Sequence, residues 1–210
     1  MIRAALFDWD GTLADTAEAT FRCYVRMFAD FGIAFDRDAF VRSYSPNWYQ
    51  TFRTLGIPEH RWPEADEAWL REYAAERVDL IDGARDLIHN LDERGVAIGI
   101  VTSGTRDRVK RELEAHGLAP RVRECVFGSD VAEKKPHPAA LSLCIDRLGI
   151  AASEAVYVGD SPEDMLMARA AGVYSIAVPG GYPNRNALLA SKPDAVVTSL
   201  LDVAKLIAGH

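Results

Sequence analysis

Two aspartates near the start of the chain, Asp8 and Asp10, are the first residues whose type and spacing could do chemistry. They follow the apolar run 4–7, which has the length and composition of a buried strand. Because alternate residues of an extended segment point to the same side, both carboxylates can project from the end of that strand. Two carboxylates this close repel each other, and a divalent cation that prefers oxygen ligands, such as Mg²⁺, would relieve the repulsion. Gly11 follows at once and lets a ligand approach the backbone.

An Asp-Gly turn between two strands is the alternative interpretation of this stretch. The residues that follow the other apolar runs favour a site instead. They are small hydroxyl residues, glycines, lysines and further aspartates: Thr102, Ser103, Gly104, Lys134, Lys135, Gly159, Asp160 and Asp164. The carboxyl ends of parallel strands share one edge of a sheet, where ligands bind and helix N-termini favour anions. Such a set of groups is what phosphoryl transfer requires.

The elements that must position these residues alternate between short apolar strands and helices. Strands are predicted at 4–7, 96–101, 122–126, 155–158, 174–178 and 195–197, and helices at 83–94, 105–116, 138–148, 162–171 and from about 200. This alternation predicts an α/β fold, a Rossmann-like parallel sheet core with helices on both faces.

Residues 15–80 interrupt the alternation with helical patterns alone. Helices are predicted from Asp15 or Thr16 to about residue 31, and at 37–44, 48–55 and 58–80. We therefore predict an all-helical cap domain at 15–80, inserted into a core domain formed by 1–14 and 81–210. The polar break at 45–49 is the candidate substrate-facing segment, with Trp48 as a contact. The alternative is that Trp48 packs inside the cap.

Composition narrows the possible partners. An apolar content of 49% supports a folded core, and a net charge of -7 argues against nucleic acid or an anionic membrane as partner. Three cysteines without C-x-x-C spacing predict reduced thiols. The sequence lacks an apolar run of membrane-spanning length, and its first residues lack the basic and apolar regions of a signal peptide. We expect a cytoplasmic protein, a monomer or homodimer, that acts on a small molecule.

Four motifs occur in a fixed order along the chain: D-x-D-G-T from Asp8, the strand-terminal Thr102, K-P-x-P from Lys135, and G-D-S-x-x-D from Gly159. In these motifs the chain resembles the haloacid dehalogenase-like hydrolases, and most of all their phosphoglycolate phosphatase-like branch. The resemblance extends over essentially the whole chain, including a helical cap between the first two motifs. It implies a magnesium-dependent phosphatase of a small phosphorylated metabolite, with phosphoglycolate as the first candidate.

The resemblance also implies a role for each motif residue. Asp8 would be the nucleophile that forms an aspartyl-phosphate, and Asp10 would be the general acid and then the base. Lys135 would neutralise the charge on the nucleophile and the phosphoryl group. The phosphate would lie against Gly11, Thr102, Ser103 and Gly104. Mg²⁺ would be held by Asp8, the backbone carbonyl of Asp10, and Asp160, with Asp164 nearby or acting through water.

Several of these roles have structural alternatives. Asp160 and Asp164 could cap the helix that begins after Ser161. Thr102 could bond the backbone at its strand end. One lysine of the pair is expected to be solvated, and Pro136 selects Lys135 as the functional one.

Other functions on the same core also remain open. A phosphosugar mutase shares the nucleophile, but such relatives tend to carry Glu where this chain has Gly159. A dehalogenase would need neither the acid Asp10 nor a metal. A phospho-accepting receiver module would be far shorter and would lack the insertion at 15–80. Ser103 stands where many relatives carry Asn, which leaves the identity of the substrate open.

Overall fold

A parallel sheet forms the centre of the computed structural model, which describes residues 1–209. Within those residues the sheet has six strands: β1 Ala4–Phe7, β2 Ala97–Thr102, β3 Val122–Phe127, β4 Ala155–Gly159, β5 Tyr174–Ala177 and β6 Ala195–Val196. All pairs are parallel, in the order β3-β2-β1-β4-β5-β6. The strand order reverses at β1, which leaves a crevice beyond the carboxyl ends of β1, β2 and β4.

Helices cover both faces of this sheet, as the sequence predicts. They are α5 Ala84–Glu93, α6 Arg106–Ala115, α7 Ala139–Leu148, α8 Pro162–Ala170, α9 Arg185–Ala190 and α10 Leu200–Ala208. Ala5 and Phe7 of β1 point to the face that packs against α5, α6 and α10. Their neighbours Ala4 and Leu6 point to the opposite face, against α7 and α8. The central strand is therefore buried on both sides, and the α/β fold is confirmed.

Between β1 and α5 lies a helical segment with an aromatic cluster of its own. Its helices are α1 Ala17–Asp30, α2 Arg37–Ser43, α3 Trp48–Thr54 and α4 Trp62–Tyr73. Buried aromatic rings, among them Phe28, Phe40 and Phe52, hold these helices together. An antiparallel bridge pairs Ala14 with Leu80, so the two ends of the segment lie side by side. This is where we predict the boundary between core and cap, and the division itself stays a prediction.

Three local expectations differ from the structure. The helix predicted at 58–80 is a short turn, Glu59–Arg61, followed by α4, because the chain after Tyr73 must return to pair with Ala14. Helix α9 was not predicted, since six residues are too few for a clear apolar period. Thr16 precedes α1 without a side-chain cap, and its hydroxyl lies 2.9 Å from that of Tyr182.

In residues 1–209, no helix is both long enough and apolar enough to cross a membrane.

Candidate active site

Lys135 connects the end of β1 to the first turn of α8 at the sheet's carboxyl edge. Its Nζ donates to Oδ1 of Asp8, which follows β1, at 2.9 Å, and to Oδ1 of Asp164, in α8, at 2.7 Å. Burial lowers the pKa of the lysine, but the two carboxylates raise it more, so that its pKa lies above the ordinary value. Lys134 instead bonds the carbonyl of Gly128 at the surface. The choice of Lys135 over Lys134 therefore agrees with the contacts.

Three buried carboxylates meet beside this lysine. One oxygen from each of Asp8, Asp160 and Asp164 lies within 4.8 Å of the others. Burial and the neighbouring carboxylates Asp164 and Asp10 raise the pKa of Asp8 to about 7, although Lys135 lowers it. Burial, followed by repulsion from Asp164 and Asp8, also raises the pKa of Asp160 well above its ordinary value. One lysine cannot neutralise three carboxylates, so the cluster has an excess of negative charge.

The cluster fits a hard divalent cation. Oδ1 of Asp160 accepts a hydrogen bond from Thr12 at 3.3 Å. Oδ2 of Asp160 is buried and has no hydrogen-bond partner within residues 1–209. A buried carboxylate oxygen is rarely left unpaired, and oxygen donors with excess negative charge suit Mg²⁺. Gly11 allows this oxygen to approach the backbone closely, because a Cβ there would collide with it.

Asp164 differs from Asp160 in that both of its carboxylate oxygens accept hydrogen bonds from protein groups. Oδ2 accepts from the backbone N–H and the hydroxyl of Ser161, and the Ser161 hydroxyl accepts from the Asp164 N–H in return, a capping box at the start of α8. Oδ1 accepts from Lys135. The capping interpretation is therefore correct for Asp164. Asp160 caps nothing and is directed at the cluster.

Thr102 and its neighbours lie at the end of β2, as expected. The Thr102 side chain bonds the backbone of this same segment. Oγ1 of Thr102 accepts from the backbone N–H of Gly104 at 3.0 Å, so the backbone-bonding alternative is realised. This contact uses a lone pair of Oγ1 and does not engage the hydroxyl proton of Thr102. Ser103 and Gly104 are half-buried at the same edge.

Asp10 has a partner that sequence reasoning missed. Arg108 of α6 donates from Nη1 to Oδ1 of Asp10 at 2.9 Å and from Nη2 to Oδ2 at 2.5 Å. Nη1 also donates to Oε2 of Glu112 at 3.1 Å, and that oxygen accepts from Nε1 of Trp9 at 2.6 Å. Burial opposes the charge of Arg108, but Asp10, Tyr73 and Glu112 more than compensate and raise its pKa.

Tyr157 is a second residue that the sequence did not reveal. It lies in the middle of β4, where alternation predicts an ordinary core residue. Its hydroxyl accepts from Lys135 at 2.8 Å and lies 3.0 Å from the Val101 carbonyl and 3.1 Å from Oδ1 of Asp164. The Tyr157 hydroxyl can donate to only one of these two acceptors at a time. Because it also accepts from Lys135, Tyr157 helps to hold the lysine in place.

Tyr182 joins the core to the helical segment above the site. Its ring lies where a Cβ on Gly11 would be, and its hydroxyl bonds the hydroxyls of Thr16 and Thr20 at 2.9 Å each. Tyr44, at the end of α2, stacks on this ring at 4.6 Å.

Trp48 lies in a different part of the helical segment. Its Nε1 donates to Asp66 at 2.9 Å, and its ring lies 5.4 Å from that of Tyr49. These contacts agree with the packing alternative for Trp48. Contact with a substrate stays a prediction for Trp48, whereas Tyr44 of the helical segment contacts Tyr182, whose ring lies beside Gly11.

Comparison with known proteins agrees with this geometry. The family described as haloacid dehalogenase-like hydrolase matches residues 5–178. A phosphoglycolate phosphatase from Xanthomonas campestris pv. campestris is 34% identical over 187 residues, covering 86% of this chain and 84% of that protein. Pyrophosphatase PpaX from Bacillus pumilus is 28% identical, covering 98% of this chain and 96% of that protein. The solved structure of CbbY from Rhodobacter sphaeroides in complex with phosphate is 26% identical, with a TM-score of 0.81, and covers 97% of this chain and 96% of that chain.

Proposed function

Because the chain belongs to the haloacid dehalogenase-like hydrolases, in their phosphoglycolate phosphatase-like branch, and is a hydrolase of phosphate esters, we propose that it is a magnesium-dependent phosphatase of small organic phosphate monoesters. The observation that carries this proposal is the cluster in which Asp8, Asp160 and Asp164 meet beside Lys135. Phosphoglycolate is the first candidate substrate, since it is the compound named for the relative from Xanthomonas.

The first step of the proposed reaction forms a bond to Asp8. A carboxylate oxygen of Asp8 attacks phosphorus, and the ester P–O bond breaks with its electron pair on the alcohol oxygen. That oxygen takes a proton from Asp10, which gives the free alcohol and an aspartyl-phosphate. Lys135, 2.9 Å from Asp8, offsets the negative charge that would otherwise repel the phosphate.

The second step restores the enzyme. Asp10 accepts a proton from a water molecule whose oxygen attacks phosphorus, and the bond to Asp8 breaks to release inorganic phosphate. Gly11, Thr102, Ser103 and Gly104 border the space for the phosphate, where the Thr102 hydroxyl can donate to it. Asp8, the backbone carbonyl of Asp10, and Asp160 would hold Mg²⁺, with Asp164 nearby or acting through water, and the ion would supply charge neutralisation for the phosphoryl group.

Residues 15–80 would serve as a cap over this site. Tyr44 stacks on Tyr182, which covers Gly11, so the helical segment already reaches the edge of the phosphate space. A cap in this place would exclude water during formation of the aspartyl-phosphate and would contact the leaving group.

Hydrolysis is favoured over the mutase alternative by the surroundings of Gly159. A Cβ at this position would collide with the side chain of Asp164. The acidic residue that mutase relatives carry there would therefore displace the carboxylate that holds Lys135. Gly159 and Asp164 fit each other, and this supports a phosphatase.

The setting of the proposed reaction follows from the same observations. We propose a cytoplasmic enzyme, monomeric or homodimeric, that acts on a free phosphorylated metabolite. The three cysteines Cys23, Cys125 and Cys144 are free thiols in the structure, which suits a reducing compartment.

Phosphate release from a panel of small phosphate esters and pyrophosphate, with Mg²⁺ and with EDTA, tests the proposal. We expect release that depends on Mg²⁺ and that falls at least about 10⁴-fold in Asp8→Asn, since no nucleophile remains. Asp30→Asn is the matched control, because Asp30 is an exposed aspartate paired with Arg71. Release that survives in Asp8→Asn, or none from any compound by folded wild-type protein, would refute the phosphatase proposal.

A further inference from the structure

A buried ion-pair network lies directly behind Asp10. The guanidinium of Arg108 holds both carboxylate oxygens of Asp10, at 2.9 and 2.5 Å. The Arg108 side chain is only 7% exposed, whereas that of Asp10 is 27% exposed. A bidentate pair of this kind fixes the plane of the carboxylate as well as its position.

Arg108 in turn contacts Glu112 and Tyr73. Glu112, one turn along α6, accepts from its Nη1, and Trp9 donates to the same oxygen of Glu112. Tyr73, the last residue of α4, lies with its hydroxyl 3.4 Å from Nη1 and its ring centroid 4.9 Å from the guanidinium carbon. These contacts restrict the conformations available to the Arg108 guanidinium.

The chain leaves room for this guanidinium at Gly104. A Cβ there would collide with Nη2 of Arg108. A Cβ there would also lie 2.9 Å from a methyl group of Val109, and the backbone of Gly104 does not adopt a left-handed conformation, so close packing against both side chains of α6 accounts for a glycine at this position. The loop proposed to hold phosphate and the residue that holds Asp10 are therefore packed against each other.

We propose that Arg108 is a positioning residue for Asp10, and that Glu112 and Trp9 hold Arg108 in place for that purpose. The inference rests on the proposed function, in which Asp10 transfers the proton. The bidentate contact takes up one edge of the Asp10 carboxylate and holds both oxygens at a fixed distance from α6. Without it, the Asp10 side chain would sample several rotamers, and fewer of them would reach the reacting oxygen.

A role in substrate binding is the competing explanation for Arg108. Nε of Arg108 has no hydrogen-bond partner among the residues that the structure describes, and an arginine could bind an anionic group of the substrate. The two roles differ in the kinetic constant that they affect. Loss of a binding residue raises KM, whereas loss of a positioning residue lowers kcat and acts only through Asp10.

A double-mutant cycle on p-nitrophenyl phosphate separates these roles. We expect Arg108→Met to lower kcat at least about tenfold without raising KM, and to change kcat by less than about twofold in an Asp10→Asn background. Arg108→Lys, which keeps the charge but not the bidentate geometry, should recover part of the loss. Arg147→Met, at the exposed pair of Arg147 with Glu124, controls for the loss of an arginine–glutamate pair.

The outcomes separate this inference from the proposed function. An equal fall in kcat with and without Asp10 would show that Arg108 merely supports the fold, and a rise in KM in both backgrounds would show that it binds substrate. Either result overturns the inference and leaves the phosphatase proposal intact. A wild-type enzyme without activity on any ester would overturn both. Circular dichroism and active-site titration of each variant correct kcat for the folded fraction.

Discussion

Asp8 and Asp10 are two residues apart on one strand end, yet their surroundings differ in kind. Asp8 is buried among carboxylates and shares a single lysine with Asp164. Asp10 is more exposed, and both of its oxygens accept from Arg108, which also pairs with Glu112. The first environment concentrates negative charge and attracts a cation. The second supplies a fixed orientation.

This difference suits the two proposed roles. A nucleophile beside a metal needs a compact, charged cluster whose repulsion a cation relieves, and burial makes that repulsion strong. A group that gives and takes protons needs access to the substrate and a defined direction. The different surroundings of Asp8 and Asp10 thus suit two neighbouring residues of the same type to different roles.

Substitution of each aspartate by asparagine gives the largest expected contrast. Asp8→Asn should lose at least about 10⁴-fold in activity, whereas Asp10→Asn should lose about 10² to 10⁴-fold, the usual contribution of a general acid or base. Acid-quenched protein examined by mass spectrometry after p-nitrophenyl phosphate should carry phosphate in Asp10→Asn and none in Asp8→Asn. The leaving phenolate needs little help from an acid, so the first step survives. Phosphate on Asp8→Asn would break the contrast.

Metal binding should depend on one environment and not on the other. Mg²⁺ at a hundredfold excess over its Kd should stabilise the wild-type protein by about 2.7 kcal/mol, measured by thermal or chemical unfolding. Asp160→Asn should lose most of this gain, since Asp160 offers the unpaired buried oxygen, while Asp10→Asn should keep it. Without Mg²⁺, Asp160→Asn should be at least as stable as wild type, because one repelling carboxylate is gone. Equal losses in both variants would contradict this division.

The sequence predicted the Asp8 environment better than the Asp10 environment, for a physical reason. Asp8, Lys135 and Asp160 all follow strands whose carboxyl ends a parallel sheet must bring together. Arg108 lies on a helix surface, where an arginine is ordinarily solvated, and nothing in its spacing shows that α6 turns this residue toward Asp10. The architecture was as predictable as the Asp8 environment, because alternating strands and helices admit few arrangements.

The expectations that differed from the structure were local ones that depend on distant partners. The early end of α4 at Tyr73 follows from the pairing of Ala14 with Leu80, which lies outside any local pattern. Tyr157 reads as a core residue because the strand around it is apolar, and only the approach of Lys135 gives its hydroxyl a task. Roles of this kind need the fold before they can be seen.

The smallest effect is expected from Glu112→Gln, which tests the outer part of the Asp10 environment. An amide oxygen can still accept from Trp9 and Arg108, so the geometry is nearly kept, but the charge that anchors Arg108 is lost. We expect kcat to fall less than about tenfold, equivalent to about 1.4 kcal/mol.

Stability should not follow this fall in activity. Burial and repulsion from Asp10 together raise the pKa of Glu112 more than Arg108 and Trp9 lower it, which means that its charge is already held at a cost. Its removal should change the free energy of unfolding by less than about 1 kcal/mol. Urea unfolding and steady-state kinetics of Glu112→Gln, beside Glu124→Gln at an exposed pair, measure both quantities. A parallel loss of stability and activity would mean that the only role of Glu112 is to support the fold. The orientation of Asp10 would then depend on Arg108 and not on Glu112.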